Sequence, residues 1–457
     1  MGFREVVKKI VPSNLFRETE PYGHWVEAVL YQVRGGFPAR GLKVIGVTGT
    51  DGKTTTCTLV TQMLRSAGYK VAMVTTISVD YGDGKGPQAN PTRLTTMGAA
   101  GLVRILRKIK AGGAEWVVLE TTSHALAQHR TWGVPYSVAV FTNLGHEHLD
   151  YHRTFERYRD AKRRLFKLAN ANRKGLRTGI VNADDPTGSF FASDIANPIT
   201  YGQENGDLKP RNLELTPAGS TYDVDYKGER YHMECHLPGS FNVYNSLAAL
   251  GVGIAVGMEK SQIEQGIASL KSVEGRMTRV DEGQDFEVIV DYAHTPESFE
   301  KLFKELRPLA KGRLISVFGS AGRRDEAKRS AQGEIAAKYC DIVIATEEDD
   351  RDIDGMEILE QIEMGATKAG KAKDKDLFLI HAREEAVQYA VNIAKKGDLV
   401  VLLGKGHEKS ILGNGPEAAK YRHELQNDDD PRRVAKRPYD EIEVARKAIK
   451  ARFKNRK

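Results

Sequence analysis

The sequence predicts an α/β protein: a central domain of the phosphate-loop ATPase type on a mostly parallel sheet, followed by a C-terminal Rossmann-like α/β domain. Three observations carry this. Short unbroken apolar runs recur along the chain between stretches of helical spacing, as strands covered on both faces by helices should read. The first run enters a glycine-rich loop that bears a lysine and opens a helix. The alternation of strand and helix patterns breaks off near residue 201 and resumes near residue 273, which splits the 457 residues into two α/β domains.

Composition narrows the classes. Hydrophobic residues at 40% and charged residues at 28% exclude wholesale disorder and fibrous architectures. A net charge of +7 suits anionic small molecules as well as nucleic acid and decides nothing. The basic end, 445–457, reads as a solvated helix, so no nucleic-acid partner is expected. Cys57, Cys235 and Cys340 are scattered and lack CxxC spacing, which argues against a disulfide framework or zinc knuckle and for a reducing cytosol. No apolar run approaches the ~20 residues of a membrane span, and the N-terminus lacks a signal-peptide core. A cytoplasmic protein is expected.

Residues 1–40, broken by Pro12, Pro21, Gly35, Gly36 and Pro38, are too few for a domain and read as a short helical leader. Residues 44–47, 116–119 and 138–141 read as buried parallel strands. After the first, Gly49 and Gly52 let backbone amides approach phosphate oxygens, Lys53 supplies charge, and Thr54 or Thr55 can reach Mg²⁺. The spacing departs from the strict phosphate-loop pattern, because Val47 stands five residues before Gly52. Glu120 ends the second run, where open α/β sheets place ligand-binding side chains, and is a Mg²⁺ candidate. The third run leads into Asn143-Leu-Gly-His-Glu-His-Leu-Asp-Tyr-His152, whose histidines and acids suggest metal or phosphate contacts without spacing that singles one out.

Tyr158, Ala161, Lys162, Leu165, Phe166 and Ala169 follow helical spacing and put Lys162 on or beside a buried stripe. Either its amine snorkels to water, or it is neutralised or chemically converted. Residues 201–237 change to alternation and predict antiparallel hairpins, and 243–256 return to a helix. Runs at 288–290, 314–318, 342–345 and 399–403 predict the second parallel sheet. The expected division is 1–40, 41–272 and 273–457.

The motifs resemble a known family. Gly46-Val-Thr-Gly-Thr-Asp-Gly-Lys-Thr-Thr-Thr56, Glu120-Thr-Thr-Ser-His-Ala-Leu-Ala-Gln-His-Arg130, Tyr158-Arg-Asp-Ala-Lys-Arg-Arg-Leu-Phe166, Asn182-Ala-Asp-Asp185, Gly239-Ser-Phe-Asn-Val-Tyr-Asn245, Glu274-Gly-Arg-Met277, Asp291-Tyr-Ala-His-Thr-Pro296 and Gly404-Lys-Gly-His-Glu408 stand in the order found in the Mur ligases. These are ATP-dependent amide-forming enzymes of peptidoglycan synthesis, and the chain is most similar to the tripeptide-synthetase branch. The resemblance implies that Gly49, Thr50, Asp51, Gly52, Lys53, Thr54 and Thr55 hold the ATP phosphates, with Asn245, Arg276 and Asp291 at the adenine, phosphate and ribose. It implies two Mg²⁺ ions, one on Thr54 and Glu120, the other on His148 and Lys162 as a carbamate. Lys53, His148, Lys162 and Arg276 would be catalytic. Thr95, Thr96, Ser123 and Arg130 would touch a UDP-linked muramoyl dipeptide.

ATP would phosphorylate the acceptor's terminal carboxylate, and an amino-acid amine would displace the phosphate. Arg351, Gly404 and Glu408 would take the amino acid, Arg351 through its carboxylate and Glu408 through a side-chain amine, which favours meso-diaminopimelate over L-lysine. On local charge alone, Arg351 reads equally as a surface ion pair.

Several departures accompany the likeness. Asp51 replaces a usual Asn, His146 and Glu147 replace Arg-Asp, Arg323 replaces an acid, and Glu348-Asp-Asp-Arg351 replaces Asp-Asn-Pro-Arg. The family's uridine-binding N-terminal domain is expected to be absent, so the acceptor's nucleotide end would be held weakly or by a partner protein, or the acceptor would differ. A monomer is expected. The alternatives are a related ligase acting on a folate or polyamino-acid carboxylate, and a non-catalytic nucleotide-binding scaffold.

Overall fold

The computed structural model describes residues 13–90, 95–145, 147–216, 218–323, 325–413 and 434–454. Residues 1–12 of the expected leader, His146, and the last three residues of the basic end lie outside the described residues. The chain forms two compact units. One runs to Glu214 and takes in Ser220–His236 and Ser240–Lys271; the other runs from Ser272 onward and takes in Leu215–Gly219 and Leu237–Gly239.

The first unit is built on an eight-stranded sheet of β1 (Lys43–Thr48), β2 (Val71–Val74), β3 (Ser78–Asp80), β4 (Gln88–Ala89), β5 (Trp116–Glu120), β6 (Tyr136–Phe141), β7 (Thr178–Asn182) and β8 (Asn197–Tyr201), in the order β4-β3-β2-β5-β1-β6-β7-β8. Pairings from β2 to β8 are parallel and the β3 and β4 edge is antiparallel. The three runs read as buried strands are β1, β5 and β6, adjacent at the centre of the sheet, and β5 and β6 are buried throughout. Their carboxyl ends therefore converge at one place, which gathers the first unit's candidate residues.

Helix Phe155–Ala171 starts at Thr154, whose side chain accepts from Arg157 N, and buries Tyr158, Ala161, Lys162, Leu165, Phe166 and Ala169, the stripe read from the sequence. Gly46 in β1 lets it close down on the sheet, since a Cβ there would come within 2.6 Å of both Leu165 and the Tyr136 ring. Strands β9 (Pro210–Thr216), β10 (Gly219–Tyr226) and β11 (Glu229–Cys235) form the expected hairpin region, β10 and β11 antiparallel with Thr221 opposite Glu234. Helix Ser240–Val256 packs against Lys53–Ser66, the helix that follows the phosphate loop. Helix Ser13–Gly35 buries Ala28 and Gln32, and the Gln32 amide donates to Trp132 O.

The second unit carries β12 (Thr278–Arg279), β13 (Glu287–Asp291), β14 (Leu314–Phe318), β15 (Ile342–Ala345), β16 (Leu377–Leu379) and β17 (Leu399–Leu403), in the order β12-β13-β17-β14-β15-β16, parallel except for β12. The four predicted runs are β13, β14, β15 and β17. One face packs Val288, Val290, Val317, Val400 and Leu402 under helices Arg383–Ile393 and Glu441–Lys454. The pair β18 (Ser410–Gly413) and β19 (Ala435–Pro438) completes this unit. No helix among the described residues is long and apolar enough to cross a membrane.

Candidate functional site

The loop after β1 is held from the neighbouring strand end. Thr50 N donates to Asn143 O at 2.9 Å, Asp51 N to Asn143 Oδ1 at 2.9 Å, and Thr142 Oγ1 to Asp51 O at 2.6 Å. Gly145 N donates to Thr50 Oγ1 at 2.8 Å. Gly52, in the left-handed region at φ 79°, caps the helix, and a Cβ there would stand 2.4 Å from Asn245 Oδ1. Only glycine satisfies both constraints. Asn245 also accepts from Thr56 Oγ1 at 3.1 Å and donates to Asn242 Oδ1. The first-turn amides of Lys53, Thr54 and Thr55 have no intrahelical acceptor, which with Lys53 suits this end to a polyanion. Lys53 Nζ donates to Thr50 O at 2.6 Å, so its charge lies over the loop.

Glu120, buried at the end of β5, is the hub of the site. Its Oε2 accepts from Thr54 Oγ1 at 3.0 Å and from Thr76 N at 2.9 Å. Its backbone carbonyl accepts from Thr96 Oγ1 at 3.0 Å, and Thr96 O in turn accepts from Arg130 Nη1 at 3.0 Å. Thr95 Oγ1 lies 2.9 Å from Thr76 Oγ1. Ser123, at the start of helix Ser123–Ala127, has its hydroxyl 3.0 Å from His152 Nε2, both residues buried. Thus Thr54, Glu120, Thr95, Thr96 and Arg130 form one hydrogen-bonded cluster, with Ser123 three residues beyond Glu120. Sequence reasoning missed Thr76, for which a Thr-Thr pair between two short β-rich runs was the one available signal, and named His152 only as one histidine of the 143–152 cluster.

Lys162 does not snorkel. It is buried, and Nζ donates to Gly49 O at 2.5 Å and stands 4.5 Å from the centre of the Tyr158 ring. The helix crosses the sheet too closely for the side chain to reach water, so the amine turns to the back of the phosphate loop. Burial holds its pKa well below the ordinary lysine value, and Lys53 pushes it the same way against Glu147, Asp51 and Glu120. His148 has left-handed backbone, φ 56°, and a half-exposed side chain; its ring is 4.8 Å from that of His124 and 6.1 Å from Tyr158. His148 and Lys162 therefore border the same tyrosine.

In the second unit, the Arg276 guanidinium stands 4.9 Å from the centre of the Tyr292 ring, and its buried Nε has no partner among the described residues. Asp291, at the end of β13, accepts from Met277 N and Ala293 N, each at 2.8 Å, and so ties the segment bearing Arg276 to the sheet. His407 packs on Tyr292 with ring centres 4.8 Å apart, and burial together with Arg276, Lys409 and Lys405 pushes its pKa down to about 4. The unfolded imidazole titrates near 6.5, so between these values protons bind the unfolded chain preferentially. This contribution to stability is present above pH 6.5 and lost as pH falls toward 4. Urea midpoints across that window should fall less steeply for His407→Gln than for wild type; identical slopes would exclude the assignment.

The surface ion pair considered for Arg351 is not formed among the described residues. Its Nη1 donates to Gly322 O at 3.1 Å, while neighbouring Arg323 pairs with Asp352. Glu408 is already matched: fully buried Lys405 donates to Glu408 Oε2 at 2.6 Å and to Asp349 Oδ1 at 2.8 Å. An incoming ammonium must share Glu408 with that lysine. Glu348, buried beside Gly404, is pushed up to about 7, chiefly by burial. Glu347, Asp350 and His381 also come together, but His381 bonds Asp350 at 2.7 Å and Glu347 pairs with Arg437, which leaves these charges matched within the protein.

The Mur ligase middle domain matches residues 47–253, and the Mur ligase glutamate ligase domain matches 275–406. The chain is 41% identical over 407 residues to a UDP-N-acetylmuramyl-tripeptide synthetase of Roseiflexus sp., covering 85% of this chain and 80% of that protein. It is 40% identical to a UDP-N-acetylmuramoyl-L-alanyl-D-glutamate–2,6-diaminopimelate ligase of Geobacillus thermodenitrificans, with coverages of 85% and 78%. A solved structure of a 2,6-diaminopimelate ligase of that type superposes with a TM-score of 0.65 at 30% identity, over 90% of this chain and 79% of the other.

Proposed function

The chain belongs to the Mur ligase family of ATP-dependent ligases of peptidoglycan synthesis, and from that premise we propose that it adds a diamino acid, meso-diaminopimelate ahead of L-lysine, to UDP-N-acetylmuramoyl-L-alanyl-D-glutamate. The observation that carries the reading is Glu120, one buried residue bonded on one side to Thr54 of the phosphate loop and on the other to Thr96 of the acceptor-side cluster.

The chemistry follows from charge. The γ-phosphoryl group of ATP passes to the acceptor carboxylate, ADP leaves, and the amino-acid amine attacks the acyl phosphate and expels phosphate. Two anions must approach, so the helix N-terminus and Lys53 offset their repulsion and stabilise the transferring group. The Thr54 hydroxyl and Glu120 carboxylate are oxygen donors of the kind Mg²⁺ prefers. Lys162 as an amine does not fit a cation; after addition to CO₂ with loss of a proton, its carbamate oxygen does, and its lowered pKa leaves the amine free to react. Mg²⁺ bound at these two places would neutralise phosphate charge. Arg276, Asp291 and Asn245 would serve the nucleotide, and Arg351, Gly404 and Glu408 the amino acid. The chain would act as a monomer in the cytoplasm.

The test is ADP release by the purified protein with Mg²⁺, UDP-N-acetylmuramoyl-L-alanyl-D-glutamate and either meso-diaminopimelate or L-lysine, with product masses recorded. Release that needs both substrates and yields the tripeptide is expected, faster with diaminopimelate. ADP release that ignores the amino acid, or no product with either, would sink the reading.

A further inference from the structure

Thr76 lies in none of the motifs that carry the family likeness, yet it joins Glu120 to an acceptor-side hydroxyl. Its N–H donates to Glu120 Oε2 at 2.9 Å, and its Oγ1 stands 3.1 Å from Glu120 Oε1 and 2.9 Å from Thr95 Oγ1. A threonine hydroxyl has one proton to give and an ionised carboxylate can only accept. Thr54 Oγ1, Thr76 N and Thr76 Oγ1 all donate to Glu120, and Thr76 Oγ1 shares its one proton with Thr95 Oγ1. Thr95 is therefore the acceptor of the contact with Thr76. That leaves Thr95 its own proton to give, so it meets a ligand as a donor, suited to a carbonyl or carboxylate oxygen. Thr96 adds a second link, from its hydroxyl to the carbonyl of Glu120.

We infer that Thr76 is a positioning residue which aims the Glu120 carboxylate and fixes the hydrogen-bond polarity of Thr95, so that cation binding at Glu120 and acceptor binding at Thr95 are coupled. The inference rests on the acceptor reading above. Partners that orient a ligand carboxylate influence metal affinity directly, and two sites sharing a hydrogen-bonded chain influence each other reciprocally.

The test compares wild type with Thr76→Val, Thr76→Ser and Thr95→Val. Mn²⁺ binding is read by electron paramagnetic resonance with ADP present, and binding of UDP-N-acetylmuramoyl-L-alanyl-D-glutamate by calorimetry with and without Mn²⁺. In wild type, Mn²⁺ should tighten acceptor binding. Thr76→Val should lose about tenfold in Mn²⁺ affinity and most of that tightening. Thr76→Ser should retain both, and Thr95→Val should keep Mn²⁺ affinity while losing the tightening. Thr76→Val with wild-type Mn²⁺ affinity and tightening, or Thr76→Ser behaving like Thr76→Val, would overturn the inference alone. Wild type that binds Mn²⁺ and ADP but not the acceptor would overturn the acceptor reading, and the link to Thr95 with it.

Discussion

Lys162→Met is expected to lower ATP-dependent ligation by about 10²–10³-fold while leaving thermal stability unchanged or raised. Lysine is a costly residue at this position: its side chain is buried, its amine donates to Gly49 O, and burial disfavours its charge. Methionine fills a similar volume with no group to desolvate, so packing against Tyr158 is kept. Activity should go because the proposed carbamate, and with it one proposed cation ligand beside the phosphate loop, can no longer form. A carbonyl signal in the carbon spectrum of protein equilibrated with ¹³C-bicarbonate should appear in wild type and vanish in the variant. Wild-type turnover by a well-folded Lys162→Met protein would remove Lys162 from the mechanism.

Lys162 also shows how far the sequence could be read. Helical spacing alone put it on a buried stripe, because a helix of 17 residues repeats its pattern often enough to be unambiguous. β1, β5, β6, β13, β14, β15 and β17 were legible because short, mostly apolar runs recur between stretches of helical spacing. Edge strands such as β4 and β12, at two residues each, are too short to carry a period. Thr76 escaped, and His152 was not told apart from the other histidines of its cluster, for another reason: their partners lie 44 and 29 residues away, which no local pattern encodes. Arg351 was placed among acids by its neighbours in sequence, but its left-handed backbone, φ 58°, accompanies a contact with a carbonyl. His148 and Met277 share that conformation, so several motif positions sit where local propensity is least informative.

Glu441→Ala is expected to destabilise the second unit by about 3–5 kcal/mol, seen as a lower urea midpoint. Glu441 opens helix Glu441–Lys454 and Arg383 opens helix Arg383–Ile393, and both side chains are fully buried. Arg383 Nε donates to Glu441 Oε2 at 2.8 Å and Nη2 to Oε1 at 3.2 Å. Burial works against the guanidinium charge, and Glu441 more than offsets it. Removing the carboxylate strands that charge in the core, whereas Arg383→Met combined with Glu441→Leu leaves neither partner unmatched and should recover most of the loss. Recovery of stability need not bring recovery of function. Arg383 also donates to Glu347 O at 2.9 Å and to Leu403 O at 2.6 Å, beside the ends of β15 and β17 that lead to Arg351 and Gly404. The double variant should therefore fold well yet show a raised KM for the amino acid with little change for ATP. Additive losses in the double variant would show that the two side chains do not act as a pair, and an unchanged amino-acid KM would separate Arg383 from the amino-acid site.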